Sequence, residues 1–547
     1  MATPSIIIGD GKWAVREDNL LGYFQGEHNK YLPKPMDWTR ASDGTLTNKD
    51  GVIENTPYNL ISYSEDFSVW GGSGVVNPNV TTAPNGELTA SSIYASNTSN
   101  NKSQVSTPIL PSTQYTVSCY VKDKGDDIAN VWFYSVETSF VKIKFTFSTE
   151  TISNSGTAED SSGFETLDNG WYRVYFVFTT DTVVTSEQIQ LNRGVAEVTT
   201  YYWGAQLVEG TEAKPYYKTE DRLNIPRIDF SDSSRGALLL EPQRTNLITY
   251  SEDFSDASWT VLTTNITTAF GYTSPSGQSN ATRLTATANS ARFRVNSATI
   301  TSGLDYTNSI YIRLVSGVGE VSFFDVDGGS DTINLTSAWV KYSNPALSSS
   351  TQGRWILDIT NNGDVIEVWG AQLEEGSYPT TYIPTNGSTV TRLADTGTNC
   401  GTVNDFNSEE GVLFVEAAAL ADDGTNRRIS INDGTSANRV VISYNSSSNL
   451  LEGFYTVGSV TQGYQNYTLS DTTLFTKVAF RWALNDFSLW TEGINRGTDI
   501  TGNVLAANVL TKLSFNNGAT ETLYGKIEGL EVYKEYLDDT AMAELTT

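Results

Sequence analysis

Asn246–Trp259 reads NLITYSEDFSDASW, and Asn59–Trp70 reads NLISYSEDFSVW. Two copies this alike are a duplication. Each is followed by a second echo, YYWGAQLVEGTEAKPYY at Tyr201–Tyr217 and EVWGAQLEEGSYPTTYI at Glu367–Ile383. The opening and closing phrases bracket two equivalent units of about 140 to 160 residues, the size of a domain and far above a solenoid repeat. The chain is therefore read as a string of similar domains.

The material of those domains is sheet-forming. Of 547 residues, 12 are Trp, 28 Tyr and 22 Phe, so the cores are filled by aromatic and β-branched side chains that suit strands. A net charge of -28 repels phosphate backbones and anionic headgroups, which argues against nucleic acid and membrane surfaces as partners. No apolar run approaches the ~20 residues that span a bilayer. The N-terminus lacks the basic start and apolar stretch of a secretory signal, although the Asn/Ser/Thr/Gly-rich composition is that of an extracellular surface. One His, His28, and two Cys, Cys119 and Cys400, leave zinc sites and His-based triads almost without raw material. Cys119 aligns with Ile310 of the second copy, which predicts a buried thiol rather than a disulfide to Cys400.

Along the chain, residues 1–57 scatter Gly, Pro and charge among short apolar clusters and are read as a segment that needs a partner to order it. TRASDGTLTNKDGVIENTPYNL at its end predicts a hairpin with turns at Asp43-Gly44 and Asp50-Gly51, and RIDFSDSSRGALLLEPQRTNL before the second copy is its relative. Residues 58–218 form the first unit, 219–243 a stiff hairpin connector, and 244–385 the second unit. Tyr115–Lys122 alternates Val117, Cys119 and Val121 against Ser118, Tyr120 and Lys122, in register with Tyr306–Arg313. Phe140–Phe147 alternates too, with Lys142 and Lys144 outward, and Trp171–Phe178 matches Ala338–Leu347. Many short strands with Gly, Asn and Ser turns predict an all-β chain of tandem antiparallel β-sandwiches. Residues 386–547 carry further strands at Gly411–Ala418, Arg428–Ile431, Arg439–Tyr444, Leu451–Val457 and Lys477–Trp482. A hairpin follows over Leu484–Ile494 with Asn485-Asp486 at its turn, then a strand and a short helix capped by Asp538 or Asp539.

NLITYSEDFSDASW and WGAQLEEG resemble the two ends of carbohydrate-binding-module-like jelly rolls. FRWALNDFSLWTEG with YGKIEGLEVYKEYLDDTAMAELT is similar to a concanavalin A-like (laminin-G-like) lectin domain. The whole order, from GDGKWAVREDNLLGY through DWTRASDGT and the twin YSEDF units, resembles fibre and spike proteins of tailed bacteriophages. The resemblance implies a virion-surface fibre, on head or tail, that docks to capsid or tail protein through residues 1–57, trimerises, and adsorbs to host cell-surface glycans. The alternatives are a polysaccharide-depolymerising tailspike and a purely structural capsid decoration protein. Neither GxSxG nor GxxxxGK[ST] occurs, and no carboxylate pair stands out as glycosidase-like, so the chain is read as non-enzymatic.

Sugars are gripped by aromatic faces and by hydrogen bonds from charged or amide groups. That chemistry selects Trp171 with Arg173, Trp339 with Lys341, and Tyr464, Tyr467 and Trp490 in the lectin-like part, whereas Trp70 and Trp259 are read as core. A repeated strand Trp also anchors a core, which is the competing reading for Trp171 and Trp339. Glu65-Asp66 and Glu252-Asp253 are candidate oxygen ligands for a structural Ca²⁺, with Gln206 and Gln372 of the closing phrases standing against it.

Overall fold

The repeated phrases are hydrogen-bonding devices that close each sandwich on itself. In a computed structural model of the chain, Asn59 donates to the Ala205 carbonyl (2.9 Å) while its side-chain oxygen accepts from the Ile61 and Leu207 amides. Asn246 makes the same set with Ala371, Ile248 and Leu373. The Trp that ends each opening phrase is buried and ties back to its start, Trp70 to the Tyr63 carbonyl and Trp259 to the Tyr250 carbonyl. In each closing phrase a bulge falls at a glycine with positive φ, Gly204 (59°) and Gly370 (66°). A Cβ on Gly204 would stand 3.0 Å from the Tyr120 ring. The structure describes residues 4–9, 22–25, 30–33, 37–40, 42–56, 59–99, 101–106, 114–135, 140–154, 159–181, 187–211, 213, 216, 218–219, 226–261 and 265–547. His28 lies outside them.

The chain is all-β, built of antiparallel sheets, and divides into two compact units, Pro57–Ile225 on one side and Met1–Thr56 with Pro226–Thr547 on the other. The first unit is one sandwich. Its six-stranded sheet runs Glu159–Thr166, Trp171–Thr179, Gln114–Asp123, Val198–Glu209, Ala90–Ala95, Val75–Thr81, and its five-stranded sheet runs Thr151–Asn154, Phe140–Thr146, Ile128–Ser135, Glu187–Leu191, Lys102–Ser106. Val117, Cys119 and Val121 face Val131, Ile143 and Phe145 in the core between them, and Lys142 and Lys144 point away, as the alternation predicts. The outer face departs from that prediction. Ser118 and Tyr120 are buried as well, because Tyr120, Trp171 and Trp203 make a second aromatic layer on that side, held by Trp171 to the Thr82 carbonyl and Trp203 to the Thr89 hydroxyl.

The second unit holds another sandwich and the C-terminal domain. The sandwich pairs the sheet Ile266–Tyr272, Ala281–Ala286, Val365–Glu375, Asp305–Ser316, Val340–Leu347 with the sheet Trp259–Val261, Ala291–Thr299, Gln352–Ile359, Glu320–Phe324, Ser330–Asn334. In the C-terminal domain the sheet Val460–Thr468, Leu450–Val457, Arg439–Tyr444, Arg427–Asn432, Lys512–Ser514 packs its apolar side on a larger sheet. That larger sheet runs through Gly525–Tyr533, Gly411–Ala419, Thr476–Ala483, Asp486–Thr491 and Ile494–Asp499. The hairpin after Ala483 turns on Leu484-Asn485, one residue earlier than expected, because Ala483 pairs with Asp486 and Asn485 takes the positive φ (56°). Asp538 caps the final helix, Asp539–Thr546, accepting from the Ala541 amide at 2.9 Å. No disulfide joins the two buried cysteines, and among the described residues no helix is long and apolar enough to cross a membrane.

Two segments outside the sandwiches pack into the C-terminal domain. The N-terminal segment finds its ordering partner inside the chain. Ile6–Gly9 pairs antiparallel with Gly529–Val532, Ile6, Ile8 and Trp38 enter the C-terminal core, and Asp37–Thr39 pairs with Thr396–Thr398. Its hairpin, Thr45–Thr47 with Ile53–Asn55, turns around Gly51 only. Gly44 instead packs under Arg40 and Arg227, and Ile53 lies against Trp369 and Tyr382 of the second sandwich. The connector joins the same sheet. Arg227–Asp229 and Ala237–Leu240 form a hairpin that extends the C-terminal sheet beside Gly525–Ile527.

Three segments outside the sandwiches each deliver one arginine to a single buried ionic knot. Arg40 meets Asp395 at 3.1 Å, Arg227 meets Asp395 and Glu241, and Arg392 meets Glu241 at 2.8 Å, every member almost without exposure. Burial alone would raise the Glu241 carboxyl, but Arg392 and Arg227 outweigh it and hold the group far below the usual carboxylate range. Burial brings the Arg40 guanidinium down to about 10 despite Asp395.

Candidate functional site

The side of the smaller C-terminal sheet turned away from the domain core carries an ordered, mostly buried array from which Tyr464 emerges. Strand alternation sends Ile429, Ile431, Val440, Ile442 and Leu451 into the core, so their neighbours face out in rows set by the register. One row runs Arg428, Ser443, Glu452, Asn466; the next runs Ser514, Ser430, Val441, Phe454, Tyr464; the third runs Lys512, Asn432, Arg439, Thr456. The Phe454 ring lies flanked by two guanidiniums, Arg428 at 5.6 Å and Arg439 at 5.4 Å. Tyr464, paired directly with Phe454, is 40% exposed and donates its hydroxyl to Glu452 at 2.7 Å.

The loop at 516–521 frames this face. Arg428 donates to the Ser443 hydroxyl (3.1 Å) and to Glu521, Arg439 donates to the Asn517 carbonyl (2.7 Å), and Ser430 donates to the Asn516 carbonyl (2.7 Å). Burial raises the Glu521 carboxyl, but Asn426, Asn517 and Arg428 more than offset this and keep it ionised. The side chains are thereby fixed before any ligand arrives. An open tyrosine face beside oriented amide, guanidinium and carboxylate groups matches the two demands of a sugar ring, apolar C–H patches and hydroxyls.

Of the seven sequence-selected sugar residues, Tyr464 alone stands on this face. Trp171 is 1% exposed within the aromatic layer of the first sandwich, and Arg173 is buried beside it, donating to Ser118 at 3.1 Å. Trp490 is 5% exposed in the core under the final helix, bonded to Ser488. Rings sealed on both sides cannot stack on a ligand, which overturns the expectation at Trp171, Arg173 and Trp490. Trp339 is half-buried under Arg313 (4.9 Å), and Lys341 spends its ammonium on the Thr380 carbonyl. Tyr467 is half-buried on the opposite side of its strand from Tyr464, with Arg496 4.0 Å from its ring. Arg428, Arg439, Glu452 and Phe454 were missed, although they are the period-two positions opposite the core-facing residues of RRISIN, RVVISY and LLEGFYTV.

The acidic pairs do not fit a metal cage. Glu65 is buried against the Tyr216 hydroxyl (3.3 Å) and Lys218 (3.7 Å), while Asp66 turns outward to cap the Ser68 amide. Glu252 accepts from Tyr382 (3.0 Å) and Asn280 (2.6 Å), while Asp253 caps Ser255. Burial raises the Glu252 carboxyl, against those two hydrogen bonds. Gln372 accepts from the Ile383 amide and donates to Glu374. Among the described residues no three His, Cys, Asp or Glu side chains gather to hold an ion.

No protein-family model matches the chain, and no curated protein matches it. Among solved structures it is similar to the N-terminal CBM22-1–CBM22-2 tandem domain of Paenibacillus barcinonensis Xyn10C. That match has 13% identity, covers 59% of this chain and 98% of that one, and scores a TM-score of 0.23. At that identity and score it fixes neither a family nor a ligand.

Proposed function

We propose that the protein is a non-enzymatic adhesion subunit of a virion surface fibre that adsorbs to host cell-surface glycans through the outward face around Tyr464. The observation that carries this reading is the exposed Tyr464 ring beside Phe454, Arg428, Arg439 and Glu452, each held by a neighbour. Weak sugar sites gain by repetition, since linking sites raises effective affinity by about 10² to 10⁴, and a homotrimer with attachment to capsid or tail protein belongs to the same proposal. The two sandwiches, whose aromatic outer faces are covered, act as the body that carries the C-terminal domain.

The test is equilibrium binding of the full-length protein to polysaccharide from the host envelope. Tyr464→Ala is expected to weaken binding on the order of ten-fold with an unchanged melting temperature. Equal binding by wild type and variant would remove this face from the account. Incubation with the same polysaccharide is expected to leave the number of reducing ends constant, and their release would reverse the non-enzymatic part.

A further inference from the structure

Resting on the glycan-binding reading, we propose that the saccharide carries a carboxylate and that the Arg439 guanidinium is its anchor. The argument is an inventory of donors and acceptors. Glu521, the carboxylate whose charge reaches Arg439, is already taken by Asn426, Arg428 and Asn517. Glu452 is taken by Tyr464. Arg428 has Glu521 as an ion-pair partner. Arg439 differs: among the described residues it makes no ion pair, it spends one N–H on the Asn517 carbonyl, and its Nε has no acceptor. A guanidinium offers five N–H donors in a planar fork that matches a carboxylate, and with the Nε enclosed by the protein it is the terminal N–H groups not spent on Asn517 that are left to a ligand. Lys512 stands two strands away in the same row and adds a second positive charge to this side of the face.

Placement gives the ligand a length. Arg439 and Tyr464 lie on strands either side of the one that bears Phe454 and one row apart, so two strand spacings and one two-residue step, about 12 Å, separate them. One sugar stacked on Tyr464 leaves Arg439 to a neighbouring residue of the same chain. The face thus fits an oligosaccharide whose acidic residue is not the one that stacks. A protein of net charge -28 would gain nothing from general attraction to such a polymer, so the selectivity falls to this local fork.

The experiment measures binding of the full-length protein to polygalacturonate, alginate, hyaluronan and polysialic acid, and to the carboxyl-reduced form of each. At least one acidic member is expected to bind, on the order of ten-fold or more tightly than its reduced form, and to weaken with added salt. Arg439→Gln should erase that difference, the acidic form losing far more affinity than the reduced form, and Arg439→Lys should restore only part of it because an ammonium lacks the fork. Tyr464→Ala should weaken both forms. Binding confined to neutral glycans, or an Arg439→Gln loss equal for both forms, overturns this inference and leaves the glycan-binding reading standing. Failure to bind these polymers and host-envelope polysaccharide alike overturns both.

Discussion

Arg227 spans Asp395 and Glu241 with no exposed side-chain surface, and its position explains why the buried charges are tolerated. A lone buried ion is prohibitive, whereas here three guanidiniums and two carboxylates share partners and hydrogen-bond to Thr45, Thr381 and Pro242. Removing one partner strands the rest. Glu241→Gln is expected to cost about 3 to 5 kcal/mol of stability at neutral pH, read by chemical denaturation. The pH dependence has a definite sign. The folded Glu241 carboxyl lies below its ordinary value of 4.5, so its contribution is complete above that value and is lost as pH falls toward the folded pKa. The gap between wild type and Glu241→Gln should therefore narrow below pH 4.5, and a constant gap down to pH 3 would contradict the assignment. Gly204→Ala tests a different residue-level constraint. It forces a Cβ into the Tyr120 ring at a positive φ, and a loss of about 1 to 3 kcal/mol is expected where Gly271→Ala, with open space around it, costs less.

Among elements, the strand Ile6–Gly9 has the largest consequence for its size. It shares one edge of Gly525–Tyr533 with Ala237–Leu240, so two segments far apart in sequence complete the same sheet. Deleting residues 1–9 removes two fully buried isoleucines and should destabilise the C-terminal domain by about 3 to 6 kcal/mol, seen as faster amide exchange at Leu530 and Val532. Unchanged exchange there would show that the strand is dispensable. This pairing was not legible in the sequence, because Ile6 meets Val532 across the whole chain and no local pattern encodes a partner. Local patterns were legible where one face is core. RVVISY alternates and forms the expected strand at Arg439–Tyr444, and NLITYSEDF marks a real sandwich opening. Aromatic residues were not, since a tryptophan under a loop, like Trp171 beneath Thr82, has the same sequence signature as one open to a ligand. Arg439 was missed because each row on that side of the sheet is assembled from four or five strands, and only the register aligns it.

At the scale of the molecule, the first sandwich is an excursion from the other unit. Arg40 before it and Arg227 after it both end on Asp395, and Arg227 also donates to the Thr45 carbonyl at 2.9 Å, so the chain leaves and returns at one place. A variant joining Thr56 to Pro226 is accordingly expected to fold cooperatively and to keep the Tyr464 face, checked by calorimetry and by binding; loss of cooperative unfolding would show that the two units depend on each other. The linker arginines staple the segments around the C-terminal domain, and the proposed glycan face lies on the smaller sheet of that domain. The most direct test of that claim is hydrogen exchange of the full-length protein with and without host-envelope polysaccharide. The account predicts slowed exchange confined to peptides from 427–468 and 512–521, whereas protection confined to the sandwiches at 59–211 or 244–385, or none anywhere, would contradict it.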